Sequence, residues 1–239
     1  MIVRDGTRLR HEWKSYINHH EYHILRNRLS RVLKNDPHAN DRGEYFIRSL
    51  YFDDIRNTAL VDKQSGIRDR EKFRIRLYNH HQGLVRLERK EKRGHFIAKT
   101  SATLTWTDAA ALAQGHATDI NGESPAVLNQ LNIAMRVRKM RPAVIVDYTR
   151  EAWTCPTGNV RITFDKRLST GLNSIDIFNK NVPTVPSIHP STMIMEIKYD
   201  SFLPAHVRGL LGHSLHSFSA ISKYVICRKY TKANDWEDK

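Results

Sequence analysis

Residues 72–78 read KFRIRLY. The run alternates without a break. As a β-strand it puts Lys72, Arg74 and Arg76 on one face and Phe73, Ile75 and Leu77 on the other. The apolar face calls for a core. The cationic face calls for something to offset three like charges on neighbouring positions, and which face turns inward decides the fold.

The habit recurs along the chain. Arg10, Glu12 and Lys14 share a face in LRHEWKSYI (9–17), as do Arg86, Glu88, Lys90 and Lys92 in LVRLERKEK (84–92). Tyr148 and Arg150 share one in AVIVDYTREAW (143–153), Arg161, Thr163 and Asp165 in VRITFDKRL (160–168), and Glu196 and Lys198 in TMIMEIKYD (192–200). YFIRSLYFD (45–53) and FIAKTSATL (96–104) complete the strand candidates, all rich in β-branched or aromatic residues. Helical spacing appears in HHEYHILRNRLSRVLKN (19–35), which sets Ile24, Leu25, Leu29, Val32 and Leu33 on one side. SPAVLNQLNIAMRV (124–137) offers Ser124 as N-cap and Pro125 as first helical residue, and LPAHVRGLLGHSLH (203–216) is a third helix candidate. The expected class is α+β: an eight-stranded antiparallel β-barrel with flanking helices. The turn-rich stretches 34–44, 114–124 and 179–192 have strand patterns on both sides, so one domain is expected over 1–239.

With 239 residues and a formal net charge of +14, the chain should attract polyanions. It carries no RNP-like aromatic set, helix-turn-helix pattern or zinc-finger spacing, which argues against nucleic acid as the partner. Cys155 and Cys227 stand far apart in no CxxC pattern, so a reducing, cytoplasmic setting is expected. No apolar run suggests a signal peptide or a membrane span; attachment to a membrane through a partner protein stays open.

One charged strand is more often a solvated outer face. Here, however, Arg and Lys dominate the faces, and a lone Glu recurs between basic neighbours. Turned inward, such faces make a cationic tunnel, which must stay hydrated and receive an anion. A polyphosphate or nucleoside triphosphate fits: Arg forks and Lys point charges would take the phosphates, and the carboxylates would hold Mg²⁺ or Mn²⁺.

The segments RHEWKSYI, SLYFDD, DKQSGIRDREKFRIRLY, LERKEKRG, DYTREAW, VRITFD, MEIKYDSFLP and SKY, in this order from about residue 8 to 230, resemble the VTC (vacuolar transporter chaperone) domain family. This is the polyphosphate-polymerase branch of the triphosphate tunnel metalloenzymes. The resemblance implies a tunnel barrel that moves the γ-phosphate of ATP onto a polyphosphate chain with a divalent metal. Carried over by motif, Arg74, Arg76, Lys90, Arg150, Arg161 and Lys223 would do the catalytic work on phosphate. Lys14, Tyr148 and Ser222 would bind substrate, together with Arg10, Lys92 and Lys198 of the charged faces. Glu196 would be the principal metal ligand, with Glu88 and Glu12 as further candidates. The eukaryotic polymerases carry a second lysine three residues before that of SKY; Ala220 stands there in this chain. A tri- or polyphosphate hydrolase and a non-catalytic polyphosphate or nucleotide binder are the alternative readings.

Other eye-catching residues have plainer expectations. His19-His20 and His80-His81 read as solvated surface at a helix start and a turn. His11 lies off the charged face, and Trp13, Trp106 and Trp153 read as core or rim packing. Asp53-Asp54 reads as a strand-end turn at least as well as a metal site, and Asp165 as a partner of a neighbouring Arg or Lys. Tyr224 is expected to pack its helix on the barrel.

Overall fold

A computed structural model describes residues 3–4, 7–8, 10–81, 83–94, 96–118, 124–212 and 218–232. In chain order the elements are β1 (Val3–Arg4), β2 (Thr7–Arg8), β3 (His11–Asn18), α1 (His19–Ser30), β4 (Lys34–Asn35), β5 (Glu44–Asp53) and α2 (Thr58–Gln64). There follow β6 (Arg70–Tyr78), β7 (Val85–Arg93), β8 (Phe96–Leu104), α3 (Trp106–Ala113), α4 (Ala126–Val137) and β9 (Arg141–Cys155). The chain continues with β10 (Val160–Thr170), β11 (Val185–Pro186), β12 (Thr192–Tyr199), α5 (Ala205–Leu211) and α6 (Lys223–Lys232). All eight predicted strands are present, with bounds shifted by a few residues at most.

Eight long strands run antiparallel in the order β3-β12-β10-β9-β5-β6-β7-β8. The sheet curls until its ends meet, with Arg10 bridging Ile97 of β8. Among the described residues the seam is one bridge rather than a full ladder, and the Lys90–Glu12 ion pair reaches across it from β7 to β3 at 2.9 Å.

The alternation read in KFRIRLY sorts the two faces. Phe73, Ile75 and Leu77, each at most 1% exposed, point out of the barrel into a core with Ala109 and Leu112 of α3 and Val127, Leu128 and Leu131 of α4. Burying each such side chain stabilises by about 1.5–3 kcal/mol, which secures the register and forces Lys72, Arg74 and Arg76 inward. A second outer core forms where Leu25 and Leu29 of α1 and Val207 and Leu211 of α5 cover Ile162, Phe164, Met195 and Ile197. The third core is internal: Ile221, Tyr224 and Cys227 pack against Val144, Val146, Tyr148 and Ile194, with Ala59 and Leu60 of α2. The barrel interior is therefore partly apolar and filled by α6, and only the rest forms a charged bore.

Several local expectations change. Asn18 closes β3 and caps α1 in a reciprocal capping box with Glu21. Leu25, Leu29 and Leu33 are buried as expected, but Ile24 and Val32 are exposed, because the covered stripe is narrower than the sequence pattern suggested. α4 begins at Ala126, with Pro125 rather than Ser124 at the cap position. α5 ends at Leu211; residues 213–216 of that predicted helix lie outside the described residues. α2 and α3 have too few residues for a legible period. Asp53 and Asp54 form a turn: their carboxylates accept N–H bonds from Ala59 and Leu60, and from Arg56 and Thr58, anchoring the start of α2. No helix among the described residues is long and apolar enough to cross a membrane.

Candidate active site

The bore is lined by alternate residues of β3, β5, β6, β7, β8, β9, β10 and β12 and by the start of α6. Its long side chains meet in three groups. In the first, Glu12 accepts from Lys14 at 2.7 Å and from Lys90 at 2.9 Å. Lys14 also lies 3.6 Å from Glu196, which pairs with Lys198 and stands 4.0 Å from Lys223. The cause is register: Lys14 faces Glu196 and Glu12 faces Lys198 across the β3–β12 ladder, so the charges alternate in a square.

In the second group Asp165, fully buried, takes Arg150 at 2.6 and 2.8 Å and Lys223 at 2.5 Å. In the third, Glu88 accepts from Arg74 at 2.6 Å, from Lys99 at 3.0 Å, and lies 3.6 Å from Arg76. Tyrosines stitch the groups together. The Tyr51 hydroxyl accepts from Arg74 at 2.7 Å, and the Tyr148 hydroxyl from Arg76 at 3.1 Å. The Arg150 guanidinium and the Lys223 ammonium stand over the Tyr148 ring at 5.3 and 5.1 Å.

The protonation states follow from this geometry. Burial alone would raise Glu12, Glu88 and Glu196, but the surrounding cations hold all three well below the usual carboxylate range. Asp165 is likewise brought down to about 2 against the pull of burial, chiefly by Arg150 and Lys223. Lys14 loses to burial but gains more from Glu12 and Glu196, and rises. Lys90 and Lys72 go the other way: burial and like charges push them to about 8 and about 7. The Tyr51 phenol falls despite burial because Arg74 and Arg76 face it. The bore is a preorganised field of fixed charges in which cations outnumber carboxylates.

Among the residues picked out by sequence, Arg74, Arg76, Lys90, Arg150, Lys223, Lys14, Lys198 and Tyr148 meet in this centre. Ser222 immediately precedes α6 and accepts from Lys72 at 3.3 Å. Two of the selected residues lie at the rim instead. Arg161 pairs with Asp36 at 2.5 Å and donates to the Tyr45 hydroxyl at 2.8 Å, while Arg10 pairs with Asp200 at 3.0 Å. Lys92 lies at an end of the bore, beside Arg70 and Arg68. The expectation that only an anionic guest could make the bore tolerable is corrected, because Glu12, Glu88, Asp165 and Glu196 already offset much of its charge.

The three carboxylates proposed for metal do not converge. Glu12 and Glu196 share Lys14 and Lys198, but Glu88 belongs to the arginine group, and no set of three or more His, Cys, Asp or Glu forms a metal-binding cluster among the described residues. Two ionised oxygen donors fit a hard divalent cation that takes its other ligands from water and phosphate.

Tyr51, Tyr45, Lys99, Asp36 and Ser49, whose hydroxyl accepts from Arg76 at 3.2 Å, escaped the sequence reading. Tyr45, Ser49 and Tyr51 share a face of β5, and that alternation was the available signal; Asp36 comes from a loop that no pattern placed. The paired histidines play no part: His80 stacks on Phe46 at 4.4 Å, and His19 and His20 lie exposed at the start of α1. Trp153 is buried and donates to Glu151, whereas Trp13 and Trp106 pack on aromatic neighbours. A cavity of about 260 Å³ lies outside the sheet, between α4 and the outer face of β6–β7, and none of the bore-facing residues lines it.

Such a barrel defines a class, the triphosphate tunnel fold. The chain superposes on a Bacillus halodurans protein described as a candidate adenylate cyclase, with 14% identity, a TM-score of 0.50, and coverage of 88% of this chain and 89% of that one. It also superposes on a Hippeastrum protein described as a candidate adenylyl cyclase with a dominant triphosphatase activity, with 12% identity, a TM-score of 0.51, and coverage of 93% and 95%. Among curated proteins none matches by sequence. The sequence model of the VTC domain matches residues 9–232, and the chain belongs to the VTC domain family.

Proposed function

We propose that this chain is a polyphosphate polymerase, a single tunnel domain that transfers the γ-phosphate of ATP to the end of an inorganic polyphosphate chain and releases ADP. One observation carries the reading: Arg74, Arg76, Arg150 and Lys223, from three separate elements, meet around the hydroxyls and rings of Tyr51 and Tyr148. Membership of the VTC family supports it.

In this reading a terminal oxygen of the chain attacks the γ-phosphorus, the bond to the β,γ-bridging oxygen breaks, and that oxygen leaves with ADP. Such transfer needs positioning and charge stabilisation more than covalent help. Arg74, Arg76 and Arg150 fork onto the transferring group, and Lys90, Lys14, Lys198 and Lys223 neutralise its neighbours. Tyr148 and Ser222 donate hydroxyl hydrogens. Arg161, Arg10 and Lys92 hold phosphates at the ends. Glu12 and Glu196 would hold Mn²⁺ or Mg²⁺, which would supply charge neutralisation at the β- and γ-phosphates. Glu88 keeps Arg74 and Arg76 aimed, a role better matched to its contacts than metal ligation.

A second reading, tri- or polyphosphate hydrolysis with water as acceptor, draws on the triphosphatase described for the Hippeastrum protein. Ala220, in place of the second lysine of the eukaryotic polymerases, weakens the hold on a product chain and favours it further. Incubation with ATP and Mn²⁺ separates the readings. A long phosphate polymer supports polymerase, free phosphate supports the hydrolase, and neither product leaves a binding protein. The reading puts the chain in the cytoplasm, with a membrane-protein partner as one route for the product.

A further inference from the structure

Each cation of the centre has a carboxylate within ion-pairing distance, but those at one mouth of the bore do not. Lys63 on α2, Arg70 and Lys72 on β6 and Lys92 on β7 have no carboxylate within ion-pairing distance among the described residues; Asp62 approaches Arg70 only at longer range. They form one group. Lys63 is depressed by burial and then by Arg70, Lys14, Lys92 and Lys90, and Lys72 by burial and then by Arg70, Lys90, Lys63 and Lys14. Among the described residues, the Lys72 ammonium has the Ser222 hydroxyl at 3.3 Å and the Tyr224 ring at 4.6 Å for partners.

Register explains the grouping. Arg70 pairs with Lys92 and Lys72 with Lys90 across the β6–β7 ladder, and α2 brings Lys63 to the same end. Assembling half-buried like charges costs stability, and a solvated surface would spread them. Moreover, residues 70, 72, 74 and 76 all face the bore, and six residues of strand rise span about 20 Å. A triphosphate held at Arg74 and Arg76 covers only part of that length. A longer linear polyanion can.

We propose that Lys63, Arg70 and Lys72, together with Lys92, form a second phosphate-binding strip at the mouth that takes the part of a polyphosphate chain beyond the phosphates held in the centre. The proposal rests on the reading of the bore as a polyphosphate site and adds to it a preference for chain over triphosphate.

The test compares the wild-type protein with Lys63→Gln/Arg70→Gln, which alters two half-buried residues outside the centre. Titration calorimetry against inorganic tripolyphosphate and against a long-chain polyphosphate is repeated over a range of salt. The double variant should bind the long chain at least about tenfold more weakly, with the log K versus log salt slope reduced by about two, one for each cation removed from the strip. Its affinity for tripolyphosphate should stay within about twofold of wild type. Equal losses on both ligands, or no loss on the long chain, overturn the strip while the centre stands. A wild-type protein that binds neither ligand removes the functional reading and the strip together.

Discussion

Asp165→Asn offers the most direct test of how the bore tolerates its charge. The carboxylate is fully buried and holds Arg150 at 2.6 and 2.8 Å and Lys223 at 2.5 Å. The amide keeps the shape and removes the charge, leaving two buried cations without their counter-ion. Breaking such a pair costs about 3–5 kcal/mol. The pKa of about 2 against the ordinary 3.8 gives an independent figure, roughly 2–3 kcal/mol at about 1.4 kcal/mol per unit. For a chain of this size, about 2–4 °C per kcal/mol turns either figure into a drop in Tm of about 5–20 °C. Because the folded-state pKa is lowered, the contribution is present above pH about 4 and lost as pH falls towards 2, so the gap between variant and wild type should close in acid. Tripolyphosphate should then raise the Tm of the variant more than that of wild type, since it need not displace Asp165 to reach Arg150 and Lys223. Differential scanning calorimetry with and without tripolyphosphate measures both effects. A variant melting within about 2 °C of wild type near neutral pH, or equal ligand-induced shifts in the two proteins, would refute the counter-ion account.

Three further outcomes are expected. Arg74→Ala and Glu196→Ala should each lower ATP-dependent turnover by at least about a hundredfold. Circular dichroism should show a folded protein in both, because Glu88 keeps Arg76 and Lys99, and Lys14 keeps Glu12; wild-type rates in Arg74→Ala would remove that residue from the site. Lys72 titrates near 7 beside Arg70, Lys90, Lys63 and Lys14, and a bound polyanion favours its ammonium form. The affinity advantage of wild type over Lys72→Met for long-chain polyphosphate should therefore be full below pH about 7 and shrink by up to about tenfold per pH unit above it; an advantage constant from pH 6 to about 9.5 contradicts this. Tyr224→Phe removes the hydroxyl that donates to buried Asp53 at the end of β5 and should cost about 1–3 kcal/mol by urea denaturation; an unchanged midpoint would show that the bond carries no net stability.

How much was legible depended on whether a signal was local. The strand alternation of KFRIRLY, LERKEK and VRITFD put Arg74, Arg76, Lys90 and Asp165 on the charged faces that line the bore. The length of each apolar run set the strand bounds within a few residues. Asp36 and Tyr45 could not be assigned to Arg161, because that partnership joins a loop to two strands far apart in sequence. Ile24 and Val32 misled because a periodic stripe says which residues could be covered, while the neighbouring α5 and the sheet determine how wide the covered stripe is.

The sequence by itself determined the two faces of each strand, since a period of two is a property of the extended backbone and needs no partner. Only the tertiary structure decided that the charged faces turn inward, because that choice depends on α3 and α4 covering Phe73, Ile75 and Leu77 from outside. It also decided which charges meet. Glu12 and Glu196 come together through the β3–β12 register, Glu88 goes to the arginines, and α6 fills the apolar part of the interior with Tyr224 and Cys227. Ion pairing acts over a few ångströms, and chain positions that approach that closely are fixed by strand register and packing rather than by spacing along the sequence.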